Sequence, residues 1–199
     1  MTDYTTPIDE LEAVNLLLAS IGEAPINSLA GTNTSDVATA RRFLAQTSRA
    51  LQLQGWHFNS DYDYPLNPVS NEITLASNVL KVDADQYKSK YDFCVRGTRL
   101  YSKQLKTYTI TESITVDIVW NLPFNELTEA ARWYITVKAG RKFQEQVLGS
   151  DTLDKFSEAD ETLAWKTFIE SEYDTADYSF KDNYTAFQML DRSPGNTLL

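Results

Sequence analysis

The sequence predicts an α+β fold, an antiparallel helical bundle with a small, mainly antiparallel β module inserted between its second and third helices. Three observations carry this prediction. Apolar residues recur at helical spacing from residue 8 to about 54, and again from residue 127 to about 178. Between these stretches, over residues 60 to 122, the period falls to two. Chain breakers stand where the period changes, at Gly22, Pro25, Gly55, Pro123 and Gly149.

The first helix is read in "IDELEAVNLLLASI", residues 8 to 21, where Leu11, Val14, Leu18 and Ile21 share a face that Leu17 widens. Gly22 supplies its stop and Pro25 prevents simple continuation. After a connection dense in turn formers, Ser35 or Asp36 is expected to cap a second helix running to about Gln54. Its inward residues are Val37, Ala40, Leu44, Thr47 and Leu51, and Gly55 is its breaker.

The period-two region opens on irregular chain, because Pro65 and Pro68 are incompatible with a long central strand. "YDFCVRGTRLYS" reads as two strands with a tight turn at Arg96 and Gly97. In "YTITESITVDIVWN", Ile114, Val116 and Ile118 fall on one face. Helical spacing returns with Leu127, Ala131, Tyr134, Thr136 or Val137, Gly140 or Arg141, Phe143 and Val147, ending near Gly149. Asp151 is expected to cap a fourth helix through about Tyr178, with Leu153, Phe156, Asp160, Leu163, Phe168, Ile169, Tyr173 and Ala176 as an imperfect core stripe. The expected division is therefore a helical core at 1–59 and 123–179, an inserted β module at 60–122, and an extended tail at 180–199. The tail keeps Tyr184, Phe187, Met189 and Leu190, too much apolar surface for a solvating extension, so it is expected to order against a neighbour.

Glu and Asp outnumber Lys and Arg by 28 to 18, giving a net charge of −10, which disfavours a general grip on phosphate. The basic residues cluster locally: Arg41, Arg42 and Arg49 on the second helix, and Arg132, Lys138, Arg141 and Lys142 on the third. Residues 151 to 192 carry eleven acids and four bases, a charge that could meet a neighbour's third helix in a ring or line a channel and repel DNA. Apolar runs are too short for a membrane span, the start lacks signal-peptide character, and the chain reads as soluble and made for a reducing compartment. The one cysteine, Cys94, excludes an internal disulfide and reads as a small buried strand residue.

The residues for catalysis are sparse. His57 in "QGWHFNS" is the only histidine, so zinc and serine-hydrolase sites lack material, and no glycine-rich phosphate loop occurs. His57 is read as a packing or surface residue, with Gly55 turning the chain and Trp56 and Phe58 anchoring the module junction. Asp61 with Asp63, and Asp83 with Asp85, form pairs that could touch a divalent cation, but neither fits a calcium-loop pattern. No cofactor or metal is expected. A polysaccharide hydrolase or glycan-binding module is the alternative, motivated by abundant carboxylates and by 11 tyrosines and four tryptophans able to stack on sugars.

The stretches "AVNLLLASIGEAPINSL", "DVATARRFLAQTSRALQLQGWHFN" and "RWYITVKAGRKFQEQVLG", with "QML" in the tail, resemble the tail tubular protein A family of short-tailed bacteriophages. The matching positions are Ala19 to Glu23 and Pro25; Ala40, Arg41 and Arg42; Gly55, Trp56, Phe58 and Asn59; and Arg132, Ala139, Arg141 and Phe143. The resemblance implies a homo-oligomeric ring, a dodecamer, with its helical part on the portal protein and its β part toward the tail nozzle protein, tubular protein B. It implies a structural adaptor in the virion at the head–tail junction, assembled in the host cytoplasm, through which double-stranded DNA passes at ejection. In that family the matched residues are architectural, not catalytic. Arg41, Arg42, Arg132, Arg141, Tyr184, Phe187, Met189 and Leu190 are the candidate interface residues, and Gly22, Pro25, Gly55, Trp56 and Phe58 the structural and junction residues.

Overall fold

The computed structural model describes residues 6–31, 34–84, 92–149 and 151–175. It contains helices α1 (Glu10–Ser20), α2 (Ser35–Gln52), α3 (Glu129–Leu148) and α4 (Asp151–Thr175). Between α2 and α3 lie strands β1 (Ser60–Leu66), β2 (Val79–Asp83), β3 (Phe93–Arg96), β4 (Arg99–Ser102) and β5 (Ile114–Trp120). This is the predicted α+β arrangement, a four-helix bundle carrying an antiparallel β module between its second and third helices.

Local chemistry sets the helix ends. Asp9 caps α1 by accepting the Glu12 N–H at 2.7 Å. At the other end Gly22 takes φ +82°, its N–H bonds the Ala19 carbonyl, and the Glu23 N–H reaches back to Leu18. These two bonds form a Schellman motif, which needs the left-handed conformation that glycine adopts without strain. The stop predicted at Gly22 thus has its physical cause. On α2, Thr34 occupies the N-cap instead of Ser35 or Asp36, which lie inside the first turn, while Val37, Ala40, Leu44, Thr47 and Leu51 are buried as predicted. Thr128 caps α3 through Ala131, and Gly149 ends it at φ +60°.

Two predicted stripes need correction. On α3 the buried face runs through Ala131, Tyr134, Ile135, Ala139 and Phe143, whereas Val147 is exposed. On α4, Asp160, Leu163 and Tyr173 point outward, and Glu161, Ala164, Trp165, Phe168 and Glu172 turn inward. Phe168 and Ile169 of the predicted stripe do pack inward; the inward face before them lies one residue later than predicted, at Glu161 and Ala164, and after them one residue earlier, at Glu172, while the side chains of Leu153, Phe156 and Ala176 lie outside the described residues. Small Ala164 lets α4 approach α3, and full burial of Phe168 stabilises the contact by about 1.5–3 kcal/mol. Asp151 stands as the first helical residue, not before it.

The main core joins all four helices, with Val14, Leu17 and Leu18 from α1 among its buried members and Leu127 closing one end. Leu11 is only half-buried, while Leu17, placed at the margin by the sequence, is fully buried. A second cluster, built on Ile73, Leu75, Phe93, Leu100 and Ile110, lies within the β region.

The strands form a sheet of order β1-β5-β2 and a separate β3-β4 hairpin, all antiparallel. Pro65 is tolerated because β1 is an edge strand. Pairing of Arg96 with Arg99 leaves a two-residue turn in which Gly97 has φ +65°. Val116 and Ile118 are buried on β5, as their spacing predicted. Cys94 is half-buried, not buried: β3 belongs to a two-stranded hairpin, which covers its faces incompletely.

Candidate functional site

Two buried amides join the end of α2 to both ends of the β insertion. Gln52, fully buried, donates from Nε2 to the Leu122 carbonyl at 3.1 Å and to Ser48 Oγ at 2.9 Å. Its Oε1 accepts the Leu122 N–H at 2.7 Å. Asn59 donates from Nδ2 to the carbonyls of Gln52 and Trp120, at 2.9 and 2.7 Å, and accepts the Trp56 N–H at 2.8 Å. All these amide positions have partners, as burial requires. The chain therefore leaves α2 and returns from β5 through one closed hydrogen-bonded clasp.

The residues singled out from the sequence surround this clasp. Gly55 takes φ +78°, and a Cβ there would come within 3.1 Å of Val119 Cγ2, so both conformation and space favour glycine. Trp56 donates its indole N–H to the Leu51 carbonyl at 2.8 Å, bonding the end of α2. Its ring meets Phe168 edge-on at 4.7 Å and Trp165 at 5.8 Å, while Phe58 lies 6.4 Å from Phe168. Tyr134 of α3 stacks with Phe168, so this aromatic group links the junction to both late helices. His57 has its side chain exposed, and its backbone N–H donates to Glu172 Oε2 at 3.1 Å. Burial raises the Glu172 pKa, and the bond from His57 and its proximity oppose that rise only in part.

The arginines divide by partner. Arg132 donates to three backbone carbonyls: Leu127 at 2.8 Å, Ile8 at 2.9 Å and Asn125 at 2.7 Å. With Glu129 accepting the Ile8 N–H and Asn125 the Glu10 N–H, it stitches the entry of α1 to the start of α3. Arg141 donates to Glu161 at 2.9 Å, and Lys138 lies 3.2 Å from the same carboxylate. Desolvation pushes the Glu161 pKa upward, but the hydrogen bonds and charges of Arg141 and Lys138 together outweigh it and hold the carboxyl below its usual range. On α2, Arg41 pairs loosely with Glu10 at 3.3 Å, and Arg42 lies 5.6 Å over the Phe43 ring; both are exposed.

Pro25 is exposed in the connection after α1, where Asn15 holds the neighbouring Ile26 through paired backbone bonds of 2.8 and 3.0 Å. Asp61 accepts the Trp120 indole N–H at 2.7 Å, and Asp63, at φ +55°, sits in a bulge with its N–H on Asp117. Asp83 faces Asp117 across the β2–β5 pair. Among the described residues, no group of three or more His, Cys, Asp or Glu side chains could hold a metal ion, and no helix is long and apolar enough to cross a membrane. Asp85, Tyr184, Phe187, Met189, Leu190 and the whole 180–199 tail lie outside the described residues.

Sequence reasoning missed Gln52, Glu161 and Glu172, and reached Asn59 only through the family resemblance. Their partners are distant in sequence, 70 residues for Gln52 with Leu122 and 115 for Glu172 with His57, so no local pattern marks them.

A family model described as tail tubular protein matches residues 11–178. Tail tubular protein A of Klebsiella phage KP34 is 27% identical over 173 residues, which cover 82% of this chain and 86% of that protein. The matched span takes in all four helices, the clasp and the β module, and on that breadth the chain belongs to the tail tubular protein family.

Proposed function

We propose that the chain is a structural subunit of an adaptor ring, a dodecamer, that connects the portal protein to the tail nozzle protein and encloses part of the path of double-stranded DNA at ejection. Membership of the tail tubular protein family over residues 11–178 carries this reading. In it, the helices of 1–59 and 123–179 meet the portal, the β module of 60–122 faces the nozzle, and residues 180–199 order against a neighbour. The ring would reside in the virion at the head–tail junction, after assembly in the host cytoplasm.

Exposed apolar side chains on the bundle support a protein that completes its packing in an assembly: Leu16, Trp133 and Leu163 come from three helices and border one groove. The role is architectural and asks for no cofactor. Imaging of tails carrying a tagged copy of this chain tests it, together with mass measurement of the chain mixed with portal. A tagged ring directly beneath the portal is expected, and a chain located elsewhere in the particle would overturn the assignment. Cleavage of capsule polysaccharide by the homogeneous protein, abolished by Asp61→Asn with folding intact, would replace it with the hydrolase reading.

A further inference from the structure

Helices α1, α3 and α4 leave between them a groove of about 480 Å³, to which α2 contributes no lining residue. Leu16, Trp133 and Leu163 stand 42%, 45% and 65% exposed around it. On its α4 side the groove is lined by Asp160, Leu163 and Thr167, and the same exposed stripe continues beyond it at spacings of three and four to Glu170, which lies 4.0 Å from Lys166, and Asp174. Arg141, the basic residue that α3 contributes to the lining, is engaged within the chain, because it binds Glu161 together with Lys138.

The outer face of α2 has the opposite character. Ala38, Arg42, Ala45, Arg49 and Leu53 follow the same helical spacing and are all exposed, with Arg41 beside them. The alanines allow close approach of a helix backbone, and Leu53 supplies an apolar end. Arg42 and Arg49 lie about 10 Å apart along α2, and Asp160 and Glu170 about 15 Å apart along α4, a difference that two flexible arginine side chains can span.

We propose that the groove receives the outer face of α2 from a second copy of the chain, with Arg42 and Arg49 meeting the acids of α4 around a centre formed by Leu16, Trp133 and Leu163. This deepens the ring reading and rests on it. The two surfaces are different parts of the molecule, so the contact is heterologous: its repetition extends beyond a dimer, and it forms a ring where the rotation between successive copies closes.

The test uses assembled tails. In a Cys94→Ser background, Ala45→Cys and Thr167→Cys are introduced together and the particles are treated with a short bis-maleimide. A ladder of covalent multimers extending beyond dimers is expected, and neither cysteine alone should yield multimers. Absence of a ladder from particles whose images show the ring would overturn the groove proposal and leave the ring intact. Images lacking a ring of this chain would instead overturn the proposed function. Dimers from Ala45→Cys alone, or cross-links to a different tail protein, would assign the surfaces to other occupants and also overturn the proposal.

A second arm reverses charge. Arg42→Glu with Arg49→Glu on one chain, and Asp160→Arg with Glu170→Arg on another, should each reduce ring incorporation at least tenfold while leaving melting unchanged. An equal mixture of the two chains should restore assembly, because each reversed face then finds its complement on the other chain. Two folded variants that fail to complement would reject the pairing.

Discussion

Replacing Gln52 by leucine isolates the contribution of the clasp. Leucine occupies nearly the same volume, so the cavity created is small, and the principal loss is the pairing of the Leu122 N–H and carbonyl at 2.7 and 3.1 Å. A buried polar group left without a partner costs about 1–3 kcal/mol. Leu122 is half-buried, so each of its two groups belongs in the lower half of that range, and Gln52→Leu should destabilise the fold by about 3 kcal/mol. For a chain of this length that corresponds to a fall of about 6–12 °C in melting temperature. Urea unfolding followed by tryptophan fluorescence measures it directly, and the midpoint should move with an unchanged slope. A loss below about 1 kcal/mol would refute the reasoning, because it would mean that water satisfies Leu122 as well as the amide does.

Trp56→Ala should cost about 3 kcal/mol through lost aromatic contacts and the lost indole bond, whereas His57→Gln should leave melting nearly unchanged; comparison of the two melts checks both. Arg132→Ala should lower stability by about 2–3 kcal/mol in urea unfolding, and Arg132→Lys should recover little, since an ammonium cannot reproduce three bonds from one planar group. The two inward glutamates of α4 should give opposite pH signatures. Glu161 has a depressed folded pKa, so its contribution is present above the ordinary value near 4.5 and is lost as pH falls through the folded value; Glu161→Gln should destabilise at pH 7 and less in acid. Glu172 has a raised folded pKa, so its favourable contribution is full below about 4.5 and is lost as pH rises through the folded value; Glu172→Gln should raise the melting temperature at pH 7, with the gain disappearing in acid.

Legibility in the sequence followed the range of the interaction. The α2 face was readable because Val37, Ala40, Leu44, Thr47 and Leu51 satisfy a local period, and Gly22 and Gly149 because a helix end requires a backbone conformation that few residues adopt. The orientation of α4 was readable at Phe168 and Ile169 but not on either side of them. Leu163 outranks Ala164 in hydrophobicity, yet close packing on α3 favours the smaller side chain, while Glu161 turns inward because Lys138 and Arg141 wait for it. The candidate junction was recognised by Gly55, Trp56 and Phe58, but the atoms that close it belong to Gln52 and Asn59. Amides of this kind ordinarily mark solvent-facing positions, and only tertiary contact reveals that these two are buried.

The clasp also has a consequence for how such a chain can diversify. Gln52 and Leu122 are 70 residues apart, yet they exchange two hydrogen bonds, so the bundle experiences the whole excursion as a loop whose ends are already joined. The entropy of closing a loop grows only logarithmically, by about 0.6 kcal/mol for each doubling of its length. Insertions and deletions between Ser60 and Trp120 therefore impose little penalty on the helices, provided that Gln52, Asn59 and the backbone of residues 120 to 122 keep their pairing. The strands become an exchangeable cassette on a fixed socket, able to change in length while the bundle keeps its geometry.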